Sequence, residues 1–159
     1  MLRIDEKVRQ EAVELLKTLI GIKSTNPPGN EDEIANFVKV FLVKNGIDAT
    51  LVPLEKERSS VVARIPGADS GSIVMCGHLD TVNAREEKWI VPPFEPHINQ
   101  GRMWGLGSAD MKSGGVVILE MAKLIAQNNL TLNKDLVLVL TADEENGYRG
   151  AASVTESGS

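Results

Sequence analysis

Apolar positions in the first part of the chain recur with helical spacing. Between residues 5 and 20, Val8, Ala12, Leu15, Leu16 and Leu19 fall on one face, and Asp5 stands where an N-cap belongs. The stretch "KSTNPPGN" then breaks the pattern with two prolines and a glycine. A second helix follows, predicted to be capped by Asn30, with Glu31, Asp32 and Glu33 at its positive end and a stripe of Ile34, Phe37, Val38, Phe41 and Leu42. Gly46 ends it. Beyond this point the pattern changes to short β-prone runs at 47–53, 60–65 and 72–77, and Gln100-Gly101 marks a small hairpin within 97–105. Residues 113–127 form a third helix, apolar nearly all round and therefore expected to be covered on several sides. "DLVLVLTA", residues 135–142, is a continuous run of the kind found in strands buried on both faces. Strands mixed with helices predict an α/β layered domain.

Composition narrows the function classes. The 159 residues suffice for one domain, with 42% apolar and 25% charged residues and a formal net charge of −5. No Lys/Arg cluster is present to track phosphates, which argues against a nucleic-acid partner. No apolar run approaches the roughly 20 residues of a membrane span. The charged start "MLRIDEKVRQ" is unlike a signal peptide, and Cys76 is the only cysteine. These features predict a cytoplasmic protein with no membrane association.

Chemistry concentrates at the ends of two apolar strands. "SIVMCG" runs into His78 and Asp80, and "DLVLVLTA" into Asp143, Glu144 and Glu145. In open α/β sheets ligands bind at the carboxyl ends of strands. Residues i and i+2 of an extended segment share a face, so Asp80 can accept a bond from one nitrogen of His78 and leave the other for a metal. A surface turn with a solvated aspartate explains the same dipeptide. Asp110 and Lys112 lie in a glycine-rich turn, "GRMWGLGSADMKSGG", that matches no phosphate-binding fingerprint and reads equally as a strand-to-helix loop. Glu144 and Glu145 are the most informative pair. Helix capping explains either one, but carboxylates beside so apolar a strand are costly unless a cation answers them. One could then ligate metal while its neighbour handles protons. Cys76 is expected to be a buried structural thiol, His97 a surface residue, and Trp89 and Trp104 packing residues under a loop.

"GHLDTV", "WGLGSADMKSG" and "TADEENGYRGA", in that order, resemble the signature segments of the co-catalytic zinc amidohydrolases. That family includes acetylornithine deacetylase, succinyl-diaminopimelate desuccinylase, aminoacylase and carboxypeptidase G. "IGIKSTNPPGNEDEIANFV" and "WIVPPFEPHINQGRMWG" resemble its segments too, so the likeness runs along nearly the whole chain.

The resemblance implies a three-layer α/β/α sandwich around a mixed, largely parallel sheet, incomplete on its C-terminal side. Residues 1–159 would be the N-terminal portion of a metallohydrolase catalytic domain, without its dimerisation or lid domain and its C-terminal catalytic segment. It implies two Zn²⁺ ions, replaceable by Co²⁺ or Mn²⁺, with His78 on one, Glu145 on the other and Asp110 bridging. Asp80 would orient His78, and Glu144 would be the general base toward the attacking water. It further implies a cis Asp110–Met111 peptide. The expected reaction is hydrolysis of amide bonds in N-acylated amino acids or small peptides, with aminopeptidases as the rival class. Further metal ligands would follow the Glu-Glu pair, so the chain alone is expected to be inactive. The alternative is a non-catalytic domain that folds or forms a homodimer without turnover.

Overall fold

The computed structural model describes residues 4–158. Helix α1 (Glu6–Gly21) starts where the pattern places it, because the Asp5 carboxylate accepts the Val8 N–H at 2.9 Å and satisfies a donor that a helix start leaves open. Helix α2 (Asp32–Lys44) differs at its start. Glu31, not Asn30, holds the cap position, and it makes no capping bond. Its carboxylate is fully buried and taken instead by the Arg58 guanidinium, at 2.5 and 2.8 Å.

Strands β1 (Ala49–Glu55) and β2 (Arg58–Ile65) form a hairpin across the two residues Lys56–Glu57. Strand β3 (Ser72–His78) follows, and β4 (His97–Asn99) pairs with β5 (Arg102–Trp104) around Gln100–Gly101 as the sequence predicts. Helix α3 (Lys112–Gln127) and strand β6 (Asp135–Thr141) complete the expected elements. Helix α4 (Arg149–Ser157) was not anticipated; its sequence is polar, and Val154 is its one buried large apolar side chain.

The main sheet has the order β1-β2-β6-β3. Its pairing is mixed, as expected, but the balance differs. Only β3 and β6 run parallel; β2 is antiparallel to both β1 and β6. A two-residue connection permits only an antiparallel pair, so the β1–β2 turn alone removes one parallel ladder.

Alternation along the strands creates two faces. Ala49, Val61, Ala63, Leu136, Leu138 and Leu140 pack with α1, α2 and α3, while Val52, Val62, Val137 and Val139 pack with Val154 of α4. This is the three-layer arrangement, with its second helical layer formed by α4. Burial is less complete than expected here. Strand β6 alternates between buried and half-buried positions, and β3 is an edge strand among the described residues, with Ile73 and Val74 59% and 58% exposed. Cys76 is exposed rather than buried, because it shares the outer face of β3 with Val74. Val117 of α3 also faces outward. His97 is exposed; Trp89 is half-buried and donates its indole N–H to the Ala84 carbonyl at 2.7 Å, and Trp104 is exposed. Among the described residues no helix is long and apolar enough to cross a membrane.

Candidate metal centre

Parallel pairing of β3 with β6 sets His78 opposite Thr141, and the Leu79 N–H donates to the Thr141 carbonyl one step further on. The two strands therefore release their polar ends side by side at one carboxyl edge. His78, Asp80, Glu144 and Glu145 meet there because a parallel register leaves them no other place.

His78 is 7% exposed. Its Nδ1 lies 3.0 Å from the Asp80 main-chain oxygen and 3.5 Å from the carboxylate. A carbonyl can only accept, so Nδ1 carries a proton and Nε2 is left toward the rim. There Nε2 meets Asp110 Oδ1 at 3.1 Å and Glu144 Oε2 at 3.7 Å. A lone pair aimed at carboxylates calls for a second proton or a cation. Burial opposes the charged ring, but the bonds to Asp80 and Asp110 outweigh it and hold the imidazole pKa up at about 9. Ligand atoms of His78, Glu144 and Glu145 all lie within 4.8 Å of one another. Asp110 joins this group through His78, and its side chain is 80% exposed. Burial, opposed by His78 but assisted by Asp110, Asp80 and Glu144, pushes the Glu145 carboxyl up. Among the described residues no Lys or Arg forms an ion pair with Asp110, Glu144 or Glu145.

The Asp80 carboxylate faces away from the rim and is completely buried. It accepts the main-chain N–H groups of Glu144 and Glu145 at 3.1 and 3.0 Å, and the Asn26 amide at 2.8 Å. Burial would raise its pKa, but the His78, Asn26 and main-chain bonds bring it below the ordinary aspartate value. Asp80 thus holds the Glu144–Glu145 turn as well as facing His78.

Directly behind lies Asp143, also buried, at a left-handed φ of 62°. Its carboxylate receives Arg58 at 2.8 Å, Arg149 at 2.7 Å and Asn26 at 2.9 Å. The Asp143 N–H donates to Glu31 at 3.1 Å. These partners overcome the cost of burial and hold the carboxyl far below the usual aspartate range. Gly29, at φ +88°, makes the arrangement possible; a Cβ there would lie 2.1 Å from Cζ of Arg58.

Asp110 reaches the rim on the turn that precedes α3, and its peptide bond to Met111 is cis, as expected. Lys112 anchors that turn. Its buried ammonium donates to the Leu19 and Ile22 carbonyls at 2.7 and 2.8 Å, where α1 ends, and burial lowers its pKa to about 8. Gly107 (φ +79°) leaves room for the lysine stem; a Cβ would come within 2.8 Å of the Thr81 methyl.

All five residues singled out from sequence as site residues, His78, Asp80, Asp110, Glu144 and Glu145, converge on this edge. Asn26, Glu31 and Arg58 were missed. The proline-rich segment that holds Asn26 reads as a helix-breaking loop, yet it forms the floor of the site. Ser24 Oγ donates to the Leu79 carbonyl at 2.7 Å, and Asn26 N–H donates to the Thr81 carbonyl at 2.7 Å. A polar asparagine and glutamate flanking two prolines and a glycine were the only available signal.

Comparison with known proteins gives a consistent picture. The model of peptidase family M20/M25/M40 matches residues 74–159. The chain is 31% identical over 158 residues to the N-formyl-4-amino-5-aminomethyl-2-methylpyrimidine deformylase of Halalkalibacterium halodurans, covering 96% of this chain and 37% of that protein. It is 29% identical over 151 residues to a probable succinyl-diaminopimelate desuccinylase of Staphylococcus aureus, covering 94% and 37%. The chain thus spans little more than a third of the length of these relatives. Its fold matches that of a dinuclear metal binding peptidase from Bacillus subtilis with a TM-score of 0.72, at 20% identity, over 97% of this chain and 40% of that one.

Proposed function

This chain belongs to peptidase family M20/M25/M40, and on that premise we propose that it carries part of the metal site of a hydrolase cleaving amide bonds in N-acylated amino acids or small peptides. One observation carries the metal reading: His78 Nε2 faces two carboxylates, with a third close by, and among the described residues no Lys or Arg answers them. Such a mixed nitrogen and oxygen donor set suits Zn²⁺, and Co²⁺ or Mn²⁺ could replace it. His78 and Asp110 would hold one ion, Asp110 and Glu145 the other. A bound divalent cation supplies Lewis acidity, polarising the amide carbonyl and acidifying water.

The residues of the chain divide the remaining work. Asp80 keeps the proton on Nδ1 of His78 and fixes the turn bearing the two glutamates. Glu144 is the base that takes the proton of the attacking water and returns it to the leaving nitrogen. An N-acylated amino acid fits the relative named a probable succinyl-diaminopimelate desuccinylase; the deformylase is named for an N-formylated aminomethylpyrimidine and shares with it only removal of an N-acyl group.

A catalytic zinc commonly has three protein ligands. His78, Asp110 and Glu145 offer each ion two, with Asp110 shared. We place the missing ligands in polypeptide beyond that described, treat residues 1–159 as the N-terminal portion of the catalytic domain, and expect no turnover from this chain alone.

Zn²⁺ calorimetry on Glu144→Ala and Glu145→Ala tests the division of labour. Glu145→Ala should lose most of the binding, and Glu144→Ala should keep it. The mutual 4.8 Å spacing of His78, Glu144 and Glu145 favours a second reading, in which Glu144 is itself a ligand. Equal loss of metal by both variants would establish that reading. Metal-dependent amide hydrolysis by the purified chain would overturn its proposed inactivity.

A further inference from the structure

Behind the rim, one side chain joins both halves of the site. Asn26 is 2% exposed, and its single NH₂ group donates to Asp80 Oδ2 at 2.8 Å and to Asp143 Oδ1 at 2.9 Å. The two carboxylates it joins come from different strand ends, and both are fully buried. Asp143 also has Arg58 and Arg149, so loss of one amide leaves it well compensated. Asp80 has no Lys or Arg partner among the described residues. Its other donors are the Glu144 and Glu145 main-chain N–H groups and, further off, His78.

We propose that Asn26 is a positioning residue: by bridging Asp80 and Asp143 it sets the distance between the β3 end, which carries His78, and the β6 turn, which carries Glu144 and Glu145. Two buried carboxylates repel unless donors stand between them. An amide suits this place because its two N–H bonds serve two acceptors without adding a charge. An aspartate would add a third negative group, and an alanine would leave the two anions facing each other. Asn26 is itself held by its main chain, where its N–H donates to the Thr81 carbonyl, and Ser24 ties the same segment to Leu79. The amide therefore acts from a fixed platform, beside the two main-chain bonds by which the Glu144–Glu145 turn is tied to Asp80.

This inference rests on the metal reading for its consequence but not for its structural content, and the test separates the two. The chain is prepared as wild type, Asn26→Ala and Ser153→Ala; the last removes a side-chain bond from α4 to the Pro53 carbonyl and touches none of the site residues. Amide hydrogen exchange is followed at Glu144 and Glu145, and Co²⁺ binding is measured by calorimetry. Asn26→Ala should speed exchange at those two amides about tenfold, with Leu138 and Leu140 unchanged, and weaken Co²⁺ binding about tenfold. Ser153→Ala should leave Co²⁺ binding within about twofold of wild type. If Asn26→Ala does not fold, Asn26→Ser, which keeps one donor, takes its place with a smaller change of the same sign. Unchanged exchange at Glu144 and Glu145, or equal acceleration throughout β6, overturns the positioning role. A wild-type chain that binds no Co²⁺ overturns the metal reading alone, and the exchange data still decide the role of Asn26.

Discussion

Asp143 and Glu145 are two residues apart, yet the protein treats their charges in opposite ways. Asp143 points inward and meets two guanidinium groups and an amide. Its partners Glu31 and Arg58 are themselves buried and bonded to each other. Glu145 points toward the rim beside Asp110 and Glu144, and among the described residues the basic group near it is His78, with no Lys or Arg paired to it. The carboxyl of Asp143 is driven far down, and that of Glu145 is driven up. A carboxylate used for structure receives its counter-charge from the chain itself. On the proposed reading, a carboxylate left without one beside a buried histidine is a place for a charge from outside. The inner cluster also supports the rim, since Asp143 begins the turn that presents both glutamates.

The largest effect should come from breaking the inner cluster. Arg58→Met leaves Glu31 and Asp143 buried with too little positive charge, a loss expected to cost about 3–5 kcal/mol. A urea melt should show it as a collapse of the midpoint, and an unchanged midpoint would mean that the cluster contributes nothing net.

Supplying the missing charge at the rim should act in the other direction. Zn²⁺ at 100 times its dissociation constant should stabilise the chain by about 2.7 kcal/mol, seen as a chelator-reversible rise in melting temperature. Arg149→Ala should retain this rise, because the Arg149 guanidinium bonds to Asp143 and Glu55 and to none of the rim residues. No shift in the wild type would remove the contrast between the two regions.

Protons and metal compete for His78. With its folded pKa at about 9 against an ordinary 6.5, the ring binds more protons in the folded state between those values. Its contribution to metal-free stability is therefore complete below about pH 6.5 and lost as pH rises through 9. Metal binding must expel the Nε2 proton, so apparent Zn²⁺ affinity should rise up to about tenfold per pH unit toward pH 9. Calorimetry at several pH values checks this, and a flat profile would argue that His78 is not a ligand.

The smallest effect concerns Glu145. Its raised carboxyl pKa means that ionisation destabilises the metal-free fold, by less than about 1 kcal/mol for a partly exposed group. Glu145→Gln should raise the metal-free melting temperature slightly while removing the Zn²⁺-dependent rise. A variant that lowers the first would place Glu145 in a structural role, like Asp143.

The amino-acid order by itself determined the helices α1 and α3, the body of α2, the apolar strands, the β4–β5 hairpin, and the polar groups at the strand ends. Each depends on residues within a few positions of one another, where periodicity and turn chemistry act directly. The likeness to a known family brought Asp110 together with residues more than thirty positions away on either side. Tertiary structure alone decided the rest. The hairpin order of β1 and β2 made the sheet mostly antiparallel, and the edge position of β3 exposed Cys76. Asn26 reaches Asp143 across 117 positions, and Arg58 reaches it across 85. Whether a buried carboxylate is structural or available depends on which cations the fold brings within about 3–4 Å, and nothing in the local pattern "ADEEN" distinguishes the acid that Arg58 and Arg149 neutralise from the two that they leave alone.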